Sequence, residues 1–246
     1  MKQMIRIAAL VLALLLLAGC GAAADPNPET TGTTTEPTLP TDATEPTMSA
    51  ETAPPETTAP AELTPASAGY EAVYADICRL LDTGDRGLEY PYATAGMVEV
   101  AGYLDTAEER YSSITYALED LDGDGSVEMI VLDAMGNTRI LGIYAHRDGQ
   151  PVLTHEGWAR SRLYRLDDGA LYSEGSGGAA YAVLEAYGQC WFTWPKDEDQ
   201  MEIGFYHAED GSYDPAAARE ITAEEFEAKQ IELAQKITAF SAQNFG

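Results

Sequence analysis

The sequence predicts an α+β domain: an antiparallel β-meander with an N-terminal helix and a C-terminal amphipathic helix packed on it, preceded by a disordered stalk. Three observations predict it. From Ile114 onward the chain breaks into short strand-like runs separated by turn signals such as Met135-Gly136-Asn137, Asp148-Gly149 and Asp168-Gly169. These runs are too closely spaced for the crossover helices of a parallel sheet. On either side of them, apolar residues keep helical spacing. Ahead of both, residues 21–68 are rich in Thr, Pro, Ala and Glu, with no Lys, Arg or aromatic residue. Such a segment cannot bury enough apolar surface to offset the entropy of ordering it.

The first element is a leader. Lys2 and Arg6 precede an unbroken apolar run over residues 7–17, and Ala18-Gly19 follows as a small-residue cleavage site. Eleven apolar residues suit the core of a secretion signal, whereas a bilayer span needs roughly 20. The string Leu17-Ala-Gly-Cys20 resembles the lipobox of bacterial lipoproteins. That resemblance implies removal of residues 1–19 and diacylation of Cys20. Two acyl chains give stable anchoring where one is marginal, so the expected partner of Cys20 is the cell membrane, with the domain on its extracytoplasmic face. Residues 20–68 are then the lipidated cysteine and its linker. Proline and like-charge repulsion keep that linker extended, and its threonines suit O-glycosylation. All 14 tyrosines and all 3 tryptophans lie after residue 69, which sets the boundary of a globular domain over 69–246.

Charge excludes two classes of partner. The chain has 14 basic residues against 41 acidic ones, a net −27, and loss of the leader would take Lys2 and Arg6 from the basic side. Nucleic acid phosphates would be repelled, and no polybasic segment is present for anionic lipid.

Within the domain, Tyr70, Val73, Tyr74, Ile77, Cys78 and Leu81 are spaced at three and four and predict a helix ending at Gly84. Residues 94–104 and 106–112 read as short helices, with Gly96 and Gly102 against the first. The expected strands are 127–133, 139–144, 151–155, 162–166, 170–173, 179–187 and 190–194. Thr222 and Glu225 form a capping box, after which Phe226, Gln230, Leu233, Ile237 and Phe240 keep helical spacing. An isolated helix of this length is marginal, so it is expected to dock its stripe on the sheet. Cys78 and Cys190 leave two options open, one disulfide or two buried thiols.

One constellation carries chemistry. In Asp120-Leu-Asp122-Gly-Asp124-Gly-Ser126-Val-Glu128, carboxylates occupy positions 1, 3, 5 and 9, a glycine position 6, and the Ser126 carbonyl position 7. Alternate residues of a tight turn converge on one centre, and oxygen-only ligands select a hard cation, so the expected cofactor is Ca²⁺. Five carboxylates within residues 119–128 would otherwise repel one another. Position 12 of an EF-hand would be a bidentate Glu, but here it is Val131 in a strand-like run. The expectation is therefore a strand–loop–strand site. It resembles the calcium loops of FG-GAP-type β-hairpins more than helix–loop–helix sensors. The string over residues 116–131, with Trp158-Ala-Arg160, Asp168-Gly169 and Gly175-Ser-Gly-Gly-Ala179, also resembles a module of lipoproteins from Gram-positive gut bacteria. The likeness spans roughly residues 110–190 and implies no activity. Extracellular calcium is commonly millimolar, which suits weak sites of roughly 10⁻⁴–10⁻³ M that stabilise a fold.

The remaining signals are weaker. Glu174-Gly-Ser176-Gly-Gly178 lacks the Lys of a phosphate loop and the spacing of a hydrolase nucleophile, so a hairpin turn is the expectation. His146, His155 and His207 are scattered, without a partner at ligand spacing. Trp191-Phe192-Thr193-Trp194 puts a Trp on each side of a strand, as core or as a carbohydrate platform, and core packing is favoured. With no nucleophile, base or cofactor motif visible, the expected function is a non-catalytic module binding a cell-wall component, a glycan or a protein. The alternative is an extracellular glycan hydrolase using a carboxylate pair, in which Glu156, Asp167 and Glu174 do not stand out from the other acids.

Overall fold

A computed structural model describes residues 63–177, 180–197, 199 and 201–246. The leader, Cys20 and most of the stalk lie outside these residues. Three helices open the domain. Helix α1, Glu71–Thr83, buries Val73, Ile77, Leu80 and Leu81, and ends where Gly84 takes a left-handed conformation and returns its N–H to Leu80 O. Thr94 caps α2, Ala95–Ala101, through the Met97 N–H. Thr106 and Glu109 cap α3, Ala107–Ser113, reciprocally.

Eleven strands follow: β1 Ile114–Glu119, β2 Glu128–Asp133, β3 Arg139–Arg147, β4 Gln150–Glu156, β5 Ser161–Arg165, β6 Leu171–Gly177, β7 Ala180–Ala186, β8 Gln189–Pro195, β9 Ile203–Ala208, β10 Arg219–Ile221 and, after helix α4 (Ala223–Gln235), β11 Gln243–Asn244. They form one antiparallel sheet in the order β10-β9-β8-β7-β6-β5-β3-β2-β1-β11. Strand β3 is shared: Arg139 and Ile140 pair with β5, and residues from Gly142 to Arg147 pair with β4. Short connections force neighbours in sequence to be neighbours in space, which is why the topology is a meander.

Pleat and register sort the side chains into two faces. On one face, helices α1–α3 close over Ile114, Tyr116, Met129, Val131 and Leu141. The pair Arg139↔Tyr164 carries that face across to β5. There α4 covers Tyr172, Leu184 and Trp191 with Phe226 and Leu233. The other face holds Ile130, Leu132, Ile140, Ile143 and Leu163, continuing to Val183, Cys190 and Phe192. No described helix is long and apolar enough to cross a membrane.

Several details correct the sequence expectation. Helix α4 stops at Gln235, so Ile237 and Phe240 are not on its stripe. Ile237 bridges Leu166, and the Phe240 N–H donates to Asn137 O as the chain turns toward the far edge of the sheet. There Gln243 and Asn244 pair with Tyr116 and Thr115 of β1. Strands β9, β10 and β11 are additional to the expected set. Most of the 174–178 string belongs to β6, with Gly177 opposite Ala180 of β7. The two thiols are free and pack in separate clusters, Cys78 against the α1 cluster and Cys190 beside Phe192. Burial pushes the Cys190 pKa up to about 12, as for an inert core thiol.

Candidate metal centre

Strands β1 and β2 pair residue for residue up to Glu119↔Glu128, and residues 120–127 form the loop that joins them. The sequence bends here because Gly123 and Gly125 adopt φ of +75° and +89°, conformations an L side chain resists. The aspartates then organise the backbone. Asp120 accepts the Gly123 N–H on Oδ1 at 2.8 Å and the Gly125 N–H on Oδ2 at 3.0 Å. Asp122 accepts from Asp124 N at 3.1 Å, and Asp124 from Ser126 N at 2.6 Å. Each of these short side chains closes a turn on its own loop.

The result is convergence. Asp120, Asp122 and Asp124 each offer a carboxylate oxygen, and these oxygens lie within 4.8 Å of one another. All three residues are exposed. Ser126 follows on the same turn. Glu128 does not join the triplet: its Oε2 accepts the Leu121 N–H at 2.8 Å, and the residue is buried at the root of β2. Desolvation raises its pKa, and the charges of Asp122, Asp124 and Asp120 raise it further, against the lowering effect of the Leu121 bond. Val131, at the twelfth position, is fully buried in β2, so the geometry is strand–loop–strand. Glu119 is held in an ion pair by Arg165 at 2.5 Å.

No protein-family model matches the chain, and neither a curated protein nor a solved structure matches it. Its chemistry is therefore read from its own residues. Three carboxylates on a pre-bent loop can coordinate a hard cation. They offer no nucleophile and no sulfur or imidazole.

The surroundings add what contiguous sequence could not show. Asp122 and Glu128 line a cavity of about 290 Å³ together with Ile143, Arg147, Thr154 and His155. These come from β3 and β4, and only strand register brings them to the loop. The other histidines are structural: His146 lies against the Tyr70 ring at 4.4 Å, and His207 stacks on Trp191 at 4.7 Å and bonds Gln189. Core packing accounts for Phe192, which is fully buried, and for Trp191, which lies under α4 with the Lys229 ammonium 4.8 Å from its ring. Glu174 is bonded by Tyr172 and bridged by Arg162 at 3.0 Å on the helix-covered face.

Proposed function

We propose that this chain is a lipid-anchored, extracytoplasmic binding module whose domain is stabilised by a calcium ion held by Asp120, Asp122 and Asp124, with the Ser126 carbonyl and Glu128 completing the site. The observation that carries the calcium part is the 4.8 Å convergence of three aspartate oxygens on a loop already bent by its own hydrogen bonds. Glu128 would have to turn its carboxylate from Leu121 N to join them. The anchor rests on Leu17-Ala-Gly-Cys20 behind its basic and apolar leader. The binding role rests on the cavity beside the loop, lined by both apolar and hydrogen-bonding side chains.

A calcium ion that binds the folded loop and not the unfolded chain stabilises by about 1.4 kcal/mol at a free concentration tenfold above Kd. For a domain of this size that is roughly 3–6 °C in Tm. The test is calorimetric titration of the full-length protein in detergent with calcium, with thermal melts in a chelator. Binding heat and a lowered Tm on chelation are expected. An unchanged Tm and no heat would leave an acidic turn. Cys20→Ala tests the anchor, since the variant is expected to leave the membrane fraction. Glycan hydrolysis is the second reading, because Glu185 and Asp210 face one cavity. New reducing ends released from a glycan incubated with the protein would favour it.

A further inference from the structure

The four described helices lie on one face of the sheet, and the opposite face carries three adjoining cavities. The first, of about 290 Å³, lies beside the acidic loop. The second, of about 420 Å³, shares His155 and Leu171 with it and reaches Tyr187 and Gln189. The third, of about 210 Å³, shares Ser173 and Glu185 with the second and ends at Arg160 and Tyr213. Shared walls make them one groove. Its floor follows the cross-strand row Leu163↔Ser173↔Glu185, whose members point to the same side.

Two features of this groove bear on what it can bind. The first concerns cations. Among the described residues, eight of the lysines and arginines pair with a carboxylate. Of the other four, Arg110 is consumed by the carbonyls of Leu81, Asp82 and Leu104, and Arg86 lies on the Tyr103 ring. Arg147 and Arg160 remain without a carboxylate partner, Arg160 with its guanidinium 5.1 Å from the Trp158 ring, and they line the two end cavities of the groove. In a chain of net −27, two guanidinium groups without a carboxylate partner on one groove are a selective arrangement. The groove's carboxylates, by contrast, already accept hydrogen bonds from within the chain: Glu185 from Ser173 and Tyr213, Glu128 from Leu121 N, Asp210 from Ser212 N and Asp122 from Asp124 N.

The second feature is Tyr187. It occupies the β7–β8 turn with φ +57°, followed by Gly188 at +71°. That pair of positive φ values suits Asn-Gly, and the other non-glycine residues with positive φ among the described residues are Asn137 and Asp148, types that tolerate it. A tyrosine there is strained, yet its ring is 45% exposed at the groove rim, with its hydroxyl held by Asp168 Oδ2 at 2.8 Å. Tyr213 shows a second exposed ring at the far end.

We propose that the groove binds a linear glycan bearing sparse carboxylates. This rests on the reading of the chain as a binding module and specifies its ligand. Sugar rings stack on Tyr187 and Tyr213. Hydroxyls meet Thr154 and Ser176, and the carboxylates reach Arg147 and Arg160. An extended peptide would add to a sheet edge through its backbone, and a groove crossing the face offers no such ladder. The negative chain repels a dense polyanion, but at physiological salt that field is screened beyond about 8 Å, so widely spaced carboxylates are accommodated.

The test uses the full-length protein in detergent, titrated calorimetrically with a hyaluronan octasaccharide, a sialic acid hexamer, their carboxyl-reduced forms and hexaglutamate. A carboxylated glycan is expected to bind, and its reduced form to bind about tenfold or more weakly. Arg147→Gln and Arg160→Gln are each expected to weaken binding about tenfold. Tyr187→Asn is expected to weaken it while Tm holds, because Asn-Gly suits the turn, and this separates ligand contact from folding. Binding of neither carboxylated glycan, equal binding of the reduced forms, or preference for hexaglutamate overturns the proposal. Thermal melts in chelator report the calcium site independently. Lost glycan binding with an intact chelator response defeats the groove alone, and the converse defeats the calcium site alone.

Discussion

The Tyr70 hydroxyl donates to the Val127 carbonyl at 2.8 Å, tying the start of α1 to the exit of the acidic loop across 57 residues of sequence. Tyr70 is fully buried, and desolvation, with the Glu128 charge, holds its pKa up at about 12, so the phenol stays a donor at any physiological pH. Tyr70→Phe removes one buried hydrogen bond and is expected to cost about 1 kcal/mol. The denaturant midpoint would show it at unchanged slope. Calcium affinity is expected to fall as well, because the loop exit loses its tether.

Asp120 and Asp122 differ in how much backbone they hold, and this predicts a split between fold and ion. Both Asp120 oxygens close the loop, whereas Asp122 takes a single N–H. Asp120→Ala is expected to lower Tm with or without calcium. Asp122→Ala is expected to leave the Tm in chelator unchanged or raised, since one repelling charge is gone, and to abolish the response to calcium. Melts of both variants, with chelator and with about 2 mM calcium, in the range of extracellular sites, distinguish the two roles.

Arg165 fastens three segments. Its guanidinium meets Glu119 at 2.5 Å, the Ala239 carbonyl at 3.1 Å, and the face of Phe240 at 3.8 Å. It thereby joins β5 to the base of the loop hairpin and to the chain beyond α4. Arg165→Met keeps the stem and loses the charge. A loss of about 2 kcal/mol is expected, because Glu119 is left half-buried without its partner. Hydrogen exchange at Gln243 and Asn244 is expected to accelerate, since their pairing with β1 depends on where this segment is held.

Local chemistry made most elements readable in the sequence, and tertiary chemistry hid the others. Thr106 with Glu109 and Thr222 with Glu225 mark helix starts by satisfying backbone donors within four residues, so no distant partner is needed. Turns such as Asp148-Gly149 do the same for hairpins. Strand β11 is two residues long and exists because β1 offers an edge, so nothing local announces it. Strand β10 runs Arg-Glu-Ile without alternation and is defined by its pairing with β9. The acidic loop was legible because its groups are contiguous. The groove was not, because residues between 145 and 213 meet only through the register of β3 to β7.

His207 predicts a pH dependence. Burial lowers its pKa below the ordinary value, with Arg219 and Lys229 adding to the effect and Glu209 opposing it. The unfolded chain takes up the proton first, near pH 6.5. The stability this histidine contributes is therefore present above about pH 6.5 and is lost as pH falls through the folded pKa. His207→Phe keeps a ring on Trp191 and removes the titration. The fall in Tm between about pH 7.5 and about pH 5 is expected to be smaller in the variant than in the parent. An equal fall would place the sensitivity elsewhere.

Gly96 shows how a residue that weakens a helix on paper can be required by what the helix touches. A β-carbon there would lie 2.0 Å from the Gly157 carbonyl oxygen, and one on Gly157 would lie 2.2 Å from the Ile140 carbonyl oxygen. Helix α2 and the β4–β5 connection therefore approach backbone to backbone over β3, where neither atom can yield as a flexible side chain would. Propensity favours Ala over Gly in a helix by about 1 kcal/mol, but the steric clash opposes it and is larger. Gly96→Ala is expected to destabilise by roughly 3 kcal/mol or more. Gly123→Ala meets nothing within 4 Å and is expected to cost about 1 kcal/mol, from its positive φ alone. Chemical denaturation of the two variants side by side tests the contrast. A Gly96→Ala protein as stable as the parent would mean that α2 can lift from the sheet, and would contradict the close packing of this face.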